Sequence, residues 1–174
     1  LGQVDRGGQI SSAVRVWDTQ AAAQVAGNQY GADSQSSRRI AHIVSDAIYA
    51  SLAGDNGYFD SQVVFISESG PKANRKKQLA IMDQDGQNMQ VLSSGASLTL
   101  SPRLSRDNSM VTYTAFDDGN PQVYVANLGG KAKKLINNAP MSFAPRFSPD
   151  GATVAFSVSN GGVTNIYAAG VSGA

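Results

Sequence analysis

The sequence predicts a strand-rich chain in which a short segment of strands and one helix precedes all-β repeats. Apolar and polar residues alternate over several short runs, as they do in half-buried strands. One stretch has the 3.6-residue periodicity of an amphipathic helix, and the second half of the chain repeats itself at a fixed spacing. No apolar run approaches the ~20 residues that a membrane-spanning helix needs.

Two strand-like runs lie near the start of the chain. The run from Ile10 to Trp17 has a two-residue alternation, and a weaker run extends from Ala22 to Tyr30. The turn residues Asp18 to Gln20 separate the two runs. We expect these runs to pair as an antiparallel meander.

A helix follows the meander. Ser36 or Ser37 is suited to cap its first turn, and Gly54 stands where a left-handed residue commonly ends a helix. Its apolar residues recur at helical spacing and form one stripe: Ile40, Ile43, Val44, Ala47, Ile48 and Leu52. We expect this stripe to face the core.

The decisive pattern is a repeat of 43 residues. Pro102 and Pro145 are separated by this interval, as are Tyr124 and Tyr167. A weaker copy lies upstream, where the segment 81–86 resembles the segment 125–130. Each copy consists of short strands separated by Gly, Pro and Asn turns, and all-β repeats of about 40 to 45 residues are typical of β-propeller blades.

Composition excludes several classes of function. Fourteen basic and thirteen acidic residues leave a formal charge of +1, which indicates neither nucleic acid nor an anionic membrane as a partner. The chain has no Cys, and His42 is its single histidine. His42 and Asp46 are spaced to meet on the helix surface, and no nucleophile motif accompanies them as a catalytic dyad requires. The sequence therefore predicts no catalytic, cofactor-binding or metal-ligating residue.

Five segments resemble the TolB family of periplasmic propeller proteins in the Tol–Pal system. The helix segment 39–49 with Gly57 to Asp60 resembles the junction between the two domains of that family. The segment 79–86 resembles its first blade, and the segments 101–103 and 144–151 resemble its blade heads. The junction is the specific part of the resemblance, because many propellers share the blade motif.

The resemblance implies an organisation in domains. Residues 1–57 would be the C-terminal part of an α/β domain, and residues 58–174 part of a six-bladed propeller. The blades would span 58–100, 101–143 and a truncated 144–174, about two and a half of the expected six. The chain would then be a fragment of a longer periplasmic protein, with its signal peptide outside the given residues.

The resemblance also implies a function as a non-enzymatic binding protein. The propeller would bind the lipoprotein Pal at one mouth of its channel, and a missing N-terminal segment would contact TolA. The protein would support outer-membrane integrity, envelope constriction in cell division and protein import, without inserting into a membrane. Two alternatives are the propeller of a prolyl-oligopeptidase-type serine peptidase and a generic propeller adaptor. The chain lacks the G-x-S-x-G motif of such a peptidase.

The candidate Pal-binding residues lie where two blades are expected to join. We expect Leu98 to Ser101 and Met141 to Ala144 to form loops, with Arg103 and Arg146 just inside the blades. Large apolar side chains suit either a partner surface or packing between blades. The arginines suit either an acidic partner or a bridge between blades, and their periodic placement favours the bridge. The candidates are Leu98, Thr99, Leu100, Arg103, Met141, Ser142, Phe143 and Arg146.

Overall fold

The computed structural model of the chain describes residues 2–6, 9–33, 36–117 and 119–172. The chain forms two compact units, Leu1–Ser61 and Gln62–Ala174. Antiparallel strands make up most of both units, and within the described residues one helix lies in the first unit. The predicted strand-rich chain with a single helix is confirmed.

The first unit contains a three-stranded antiparallel meander. Its strands follow chain order across the sheet, β1 (Gly2–Arg6), β2 (Gln9–Asp18) and β3 (Ala23–Asp33). Strands β2 and β3 pair over their whole length, with one irregularity between Val16 and Trp17. The meander predicted from the two-residue alternation is confirmed.

Helix α1 (Ser37–Ala53) packs its apolar stripe within the first unit. Ile40 and Val44 are buried in one cluster with Val14 of β2. Leu52, the last member of the stripe, lies in the final helical turn and is 74% exposed. The predicted core-facing stripe is therefore confirmed for the first turns of the helix and ends before its last turn.

The polypeptide after the helix is held by two contacts. Gly54 ends α1 with φ +75° and donates its N–H to the carbonyl of Ala50 at 3.1 Å, as the sequence predicts. The Asp46 carboxylate accepts the backbone N–H groups of Phe59 and Asp60 at 2.7 and 2.9 Å. Asp46 therefore fixes the path of the segment that leaves the helix.

The second unit consists of three small antiparallel sheets, which follow one another along the chain. Sheet I contains β4 (Gln62–Ser69), β5 (Lys76–Asp83) and β6 (Gln90–Val91). Sheet II contains β7 (Leu98–Leu104), β8 (Met110–Phe116), β9 (Pro121–Asn127) and β10 (Lys133–Lys134). Sheet III contains β11 (Met141–Phe147), β12 (Thr153–Asn160) and β13 (Val163–Gly170).

Both faces of sheet II are covered. On one face, Val123 and Val125 share a buried cluster with Val154 and Phe156 of sheet III. On the other face, Val111 and Ala126 share a cluster with Leu79 of sheet I. Because side chains alternate between the faces of a strand, neighbouring residues of β9 enter different cores. This explains why β9 is apolar on both faces.

A β-bulge recurs in the first strands of sheets II and III. The pairing of β7 with β8 shifts between Leu100 and Arg103, and the pairing of β11 with β12 shifts between Phe143 and Arg146. Inside these bulges Ser101 and Ala144 have φ of 52° and 55°. The added residue puts side chains three positions apart on the same buried face, as Thr99 and Pro102 show.

The bulges correct one prediction. Leu98 to Ser101 and Met141 to Ala144 were expected to form loops, but they are the first halves of β7 and β11. Their irregular sequence pattern comes from the bulge, which breaks the two-residue alternation without ending the strand. The connecting loops lie before them, over residues 92–97 and 135–140.

The turn between the first two strands is also repeated. Ser105 donates its N–H to the Met110 carbonyl at 2.9 Å, and its hydroxyl accepts the Met110 N–H at 2.9 Å. The Ser105 hydroxyl also donates to the Asp107 carboxylate, and Asn108 takes a φ of 56°. In sheet III the same bonds and the same left-handed residue are formed by Ser148, Asp150, Gly151 and Thr153.

We predict that Ser105→Ala lowers the free energy of unfolding by about 1–3 kcal/mol. Ser105 is 2% exposed, and its loss leaves the partly buried Met110 N–H without its hydroxyl acceptor. Urea unfolding followed by circular dichroism measures the change. Ser109→Ala is the matched control, because Ser109 lies in the same turn but is exposed. It should lower the free energy of unfolding by less than Ser105→Ala does. Equal losses from the two substitutions would contradict a special role for Ser105.

We also predict that Asp107 titrates near pH 2. Hydrogen bonds from Ser105 and then Ser109 lower the pKa of this carboxylate from 3.8 to about 2. Because this pKa is lower in the folded state than in the unfolded state, ionised Asp107 stabilises the fold. This stabilisation is complete above the unfolded-state pKa and is lost as the pH falls towards 2. Carboxyl-carbon NMR titration measures this pKa, and Ser109→Ala should raise it. A midpoint at the ordinary value in the unsubstituted protein would refute the assignment.

Candidate functional site

The predicted partner-binding residues lie on the edge strands of two neighbouring sheets. Strand β7 is the edge of sheet II, and β11 is the edge of sheet III. β7 also neighbours β4, the edge strand of sheet I. β11 in turn contacts β7, β8 and β9 of sheet II, so the candidates from the two repeats lie on adjacent strands.

The leucines of β7 are on the surface of the structure. Leu98 is 42% exposed and Leu100 is 38% exposed, whereas Thr99 between them is 3% exposed. Both leucines are therefore partly open to solvent in this structure. Met141 and Phe143, at the equivalent positions of β11, are half-buried.

Thr99 and Ser142 face the interior and serve the packing of the strands. Ser142 is completely buried, and its hydroxyl accepts the Val123 N–H of β9 at 2.9 Å. The same hydroxyl lies 3.3 Å from the Gln122 side-chain oxygen. A partner at the surface has no access to either of these side chains in this structure, so their contribution to a binding site is to position the exposed neighbours.

Arg103 and Arg146 have equivalent environments. Both are exposed, and each guanidinium donates to the carbonyl of the proline before it, at 2.8 Å for Arg103 and 2.9 Å for Arg146. These bonds lie within the strand that carries the arginine. They hold the positive charges beside the bulges, where the charges are open to an acidic partner.

The sequence did not predict two crevices, each formed by the connection into a sheet and the sheet itself. The first, of about 220 Å³, is lined by residues 93–97 together with side chains that include Tyr113 and Tyr124 of sheet II and Asp117, which follows β8. The second, of about 580 Å³, is lined by residues 136–140, Val158, Asn160 and Tyr167. The two linings are 43 residues apart, so the sequence repeat could have shown that they are equivalent. No sequence motif at either place indicates a cavity.

Asp117 supplies the negative charge of the first crevice. Its carboxylate accepts hydrogen bonds from the hydroxyls of Ser97 and Tyr124. The hydrogen bond from Ser97 lowers the pKa of Asp117 most, followed by the bond from Tyr124 and the positive charge of Lys134. Burial, followed by the negative charge of Asp117, raises the pKa of Tyr113. At neutral pH the crevice therefore combines the ionised carboxylate of Asp117 with the neutral phenol of Tyr113.

Over residues 2–6, 9–33, 36–117 and 119–172, no three His, Cys, Asp or Glu side chains come together as a metal site. In the same part of the chain, no helix is both long enough and apolar enough to cross a bilayer.

Comparison with solved structures identifies two related folds. TolB from Acinetobacter baumannii matches with a TM-score of 0.83 and 25% identity, over 98% of this chain and 43% of that chain. The β-propeller domain of the Trilobed protease from Pyrococcus furiosus matches with a TM-score of 0.51 and 14% identity, over 64% of this chain and 36% of that one. The second match concerns the fold alone. The chain spans less than half the length of these two proteins.

Comparison with protein families covers most of the chain. The model of the family described as TolB beta propeller domain matches residues 49–174, which include the last turns of α1 and all three sheets of the second unit. This match agrees with the repeated sheets and with the bulges and turns that sheets II and III share. The chain belongs to the TolB beta-propeller domain family.

Proposed function

We propose that this chain is part of the periplasmic TolB component of a Tol–Pal system and binds the lipoprotein Pal. The observation that carries the proposal is the match to TolB from Acinetobacter baumannii over 98% of the chain, with a TM-score of 0.83. In this role the protein is a binding module and not an enzyme. It supports outer-membrane integrity, envelope constriction during cell division and protein import.

The proposed organisation follows that of the TolB family. Residues 1–57 are the C-terminal part of an α/β domain, and successive blades of a six-bladed propeller follow. The predicted blade limits 58–100, 101–143 and 144–174 fall inside β7 and β11, so we count each of these strands with the blade that it begins. Pal binds the propeller, and TolA binds an N-terminal segment that precedes these residues. The recurrence of one bulge and one turn in sheets II and III supports the repeat of blades.

The proposed Pal surface consists of the exposed positions on β7 and β11. Leu98 and Leu100 supply apolar area on a strand whose backbone is already ordered, so little conformational entropy is lost on binding. Arg103 and Arg146 supply positive charge beside this area. Exposed apolar side chains flanked by arginine are typical of protein interfaces.

We predict that Leu100→Asp weakens Pal binding by tenfold or more, the size expected for an interface hot spot. The substitution places a charge where the proposal requires an apolar contact, and Leu100 is exposed enough for the fold to tolerate it. Isothermal titration calorimetry of the intact protein with Pal measures the dissociation constant.

The matched control for this prediction is Met89→Asp. Met89 is also a large exposed apolar residue, but it lies between β5 and β6, away from the proposed surface. The Met89→Asp substitution should leave the affinity for Pal unchanged. Thermal unfolding verifies that both variants fold. Unchanged affinity in a folded Leu100→Asp variant would move the Pal site away from β7, and no binding by the unsubstituted protein would refute the proposed function.

A further inference from the structure

The two crevices occupy equivalent places in the repeat. The first lies beside the connection from sheet I to sheet II, and the second beside the connection from sheet II to sheet III. Segments 93–97 and 136–140 line them at an offset of 43 residues, as do Tyr124 and Tyr167. The backbone therefore builds one type of crevice twice.

The side chains at equivalent positions differ in chemistry. Ser97, Tyr113 and Asp117 of the first crevice correspond to Pro140, Phe156 and Asn160. The aromatic pair is nevertheless stacked in both places, with ring centroids 5.7 Å apart for Tyr113 and Tyr124 and 6.5 Å apart for Phe156 and Tyr167. Sheet III forms its three strands without the serine hydroxyl, the phenol or the carboxylate. The fold of the repeat therefore does not require these three groups.

The groups of the first crevice converge on one carboxylate. Asp117 accepts hydroxyl hydrogen bonds from Ser97 and Tyr124, and an ionised carboxylate has about four acceptor positions. Acceptor capacity therefore remains on Asp117 after these two bonds. The Tyr113 and Tyr124 rings add a flat aromatic wall to the same lining.

We propose that the first crevice binds a small neutral polyhydroxylated ligand of the monosaccharide class. Asp117 accepts hydrogen bonds from ligand hydroxyls, Tyr113 contributes its phenol, and the aromatic rings contact the apolar face of the sugar ring. A volume of about 220 Å³ is below the ~300–1,000 Å³ typical of drug-sized ligands and suits a single ring.

The charges in the crevice favour a neutral ligand. The carboxylate of Asp117 opposes an anion, and the positive charge of Lys134 acts on the same carboxylate and reduces its attraction for a cation. Hydroxyl groups, which both donate and accept, fit a lining made of serine, threonine and tyrosine hydroxyls. An organic cation is the competing ligand class, and the experiment distinguishes it.

The test is an NMR titration of the full ¹⁵N-labelled chain with methyl β-D-glucopyranoside and N-acetyl-D-glucosamine. Agmatine, a small guanidinium compound, is titrated separately as the cation probe. We expect shifts of the amides in 93–97 and at Asp117 with at least one sugar, and a dissociation constant on the order of millimolar, as its few non-hydrogen atoms allow. No shift with either sugar, or shifts with agmatine alone, would overturn the proposal.

The test variants give the first crevice the residues found at the equivalent positions of the next repeat. Asp117→Asn and Tyr113→Phe install residues that the chain itself carries at the equivalent positions Asn160 and Phe156, so each should fold. We expect about tenfold weaker binding from the first and about threefold from the second. Tyr167→Phe in the second crevice is the control and should change nothing. Should Asp117→Asn unfold, Tyr113→Phe remains the test, and unchanged sugar affinity in a folded variant would overturn the proposal.

Discussion

The second unit depends on the burial of apolar faces between consecutive small sheets. Within the described residues, its sheets have three or four strands, and a sheet of this size cannot bury an apolar face alone. Val123 of β9 therefore packs against Val154 of the next sheet, and its backbone N–H is bonded to the Ser142 hydroxyl. The Gln122 side chain extends the link to the carbonyls of residues 139 and 140. Apolar contact and buried hydrogen bonds thus join the same pair of sheets.

The bulged strands β7 and β11 combine packing between sheets with exposed positions. At the bulge of β11, the N–H of Ala144 donates to the Thr114 hydroxyl of the neighbouring sheet, 3.3 Å away. Ordinary alternation along β7 puts Thr99 in the interior and leaves Leu98 and Leu100 exposed, and the bulge then brings Pro102 to the same buried face as Thr99. The bulge thus contributes to the contact between sheets, whereas strand alternation sets the exposed positions that the proposed Pal surface uses.

The two crevices show how one backbone carries different chemistry. Tyr124 and Tyr167 line equivalent walls, yet only the first crevice has the carboxylate of Asp117 with its hydroxyl donors. Because the stacked aromatic pair is kept in both crevices, the repeat supplies the scaffold and the variable positions supply the site. This separation agrees with the general observation that function resides in sites placed on folds.

The amino-acid sequence by itself determined the 43-residue period, the meander and the ends of α1, because each can be recognised in the residues along the chain. The tertiary structure decided the rest. It placed Leu98 to Ser101 in a strand, since the bulge at Ser101 interrupts the two-residue alternation and the pairing with β8 shows that the strand continues through it. It also joined Ser97, Asp117 and Tyr124, because contacts over many residues exist only after the strands have paired.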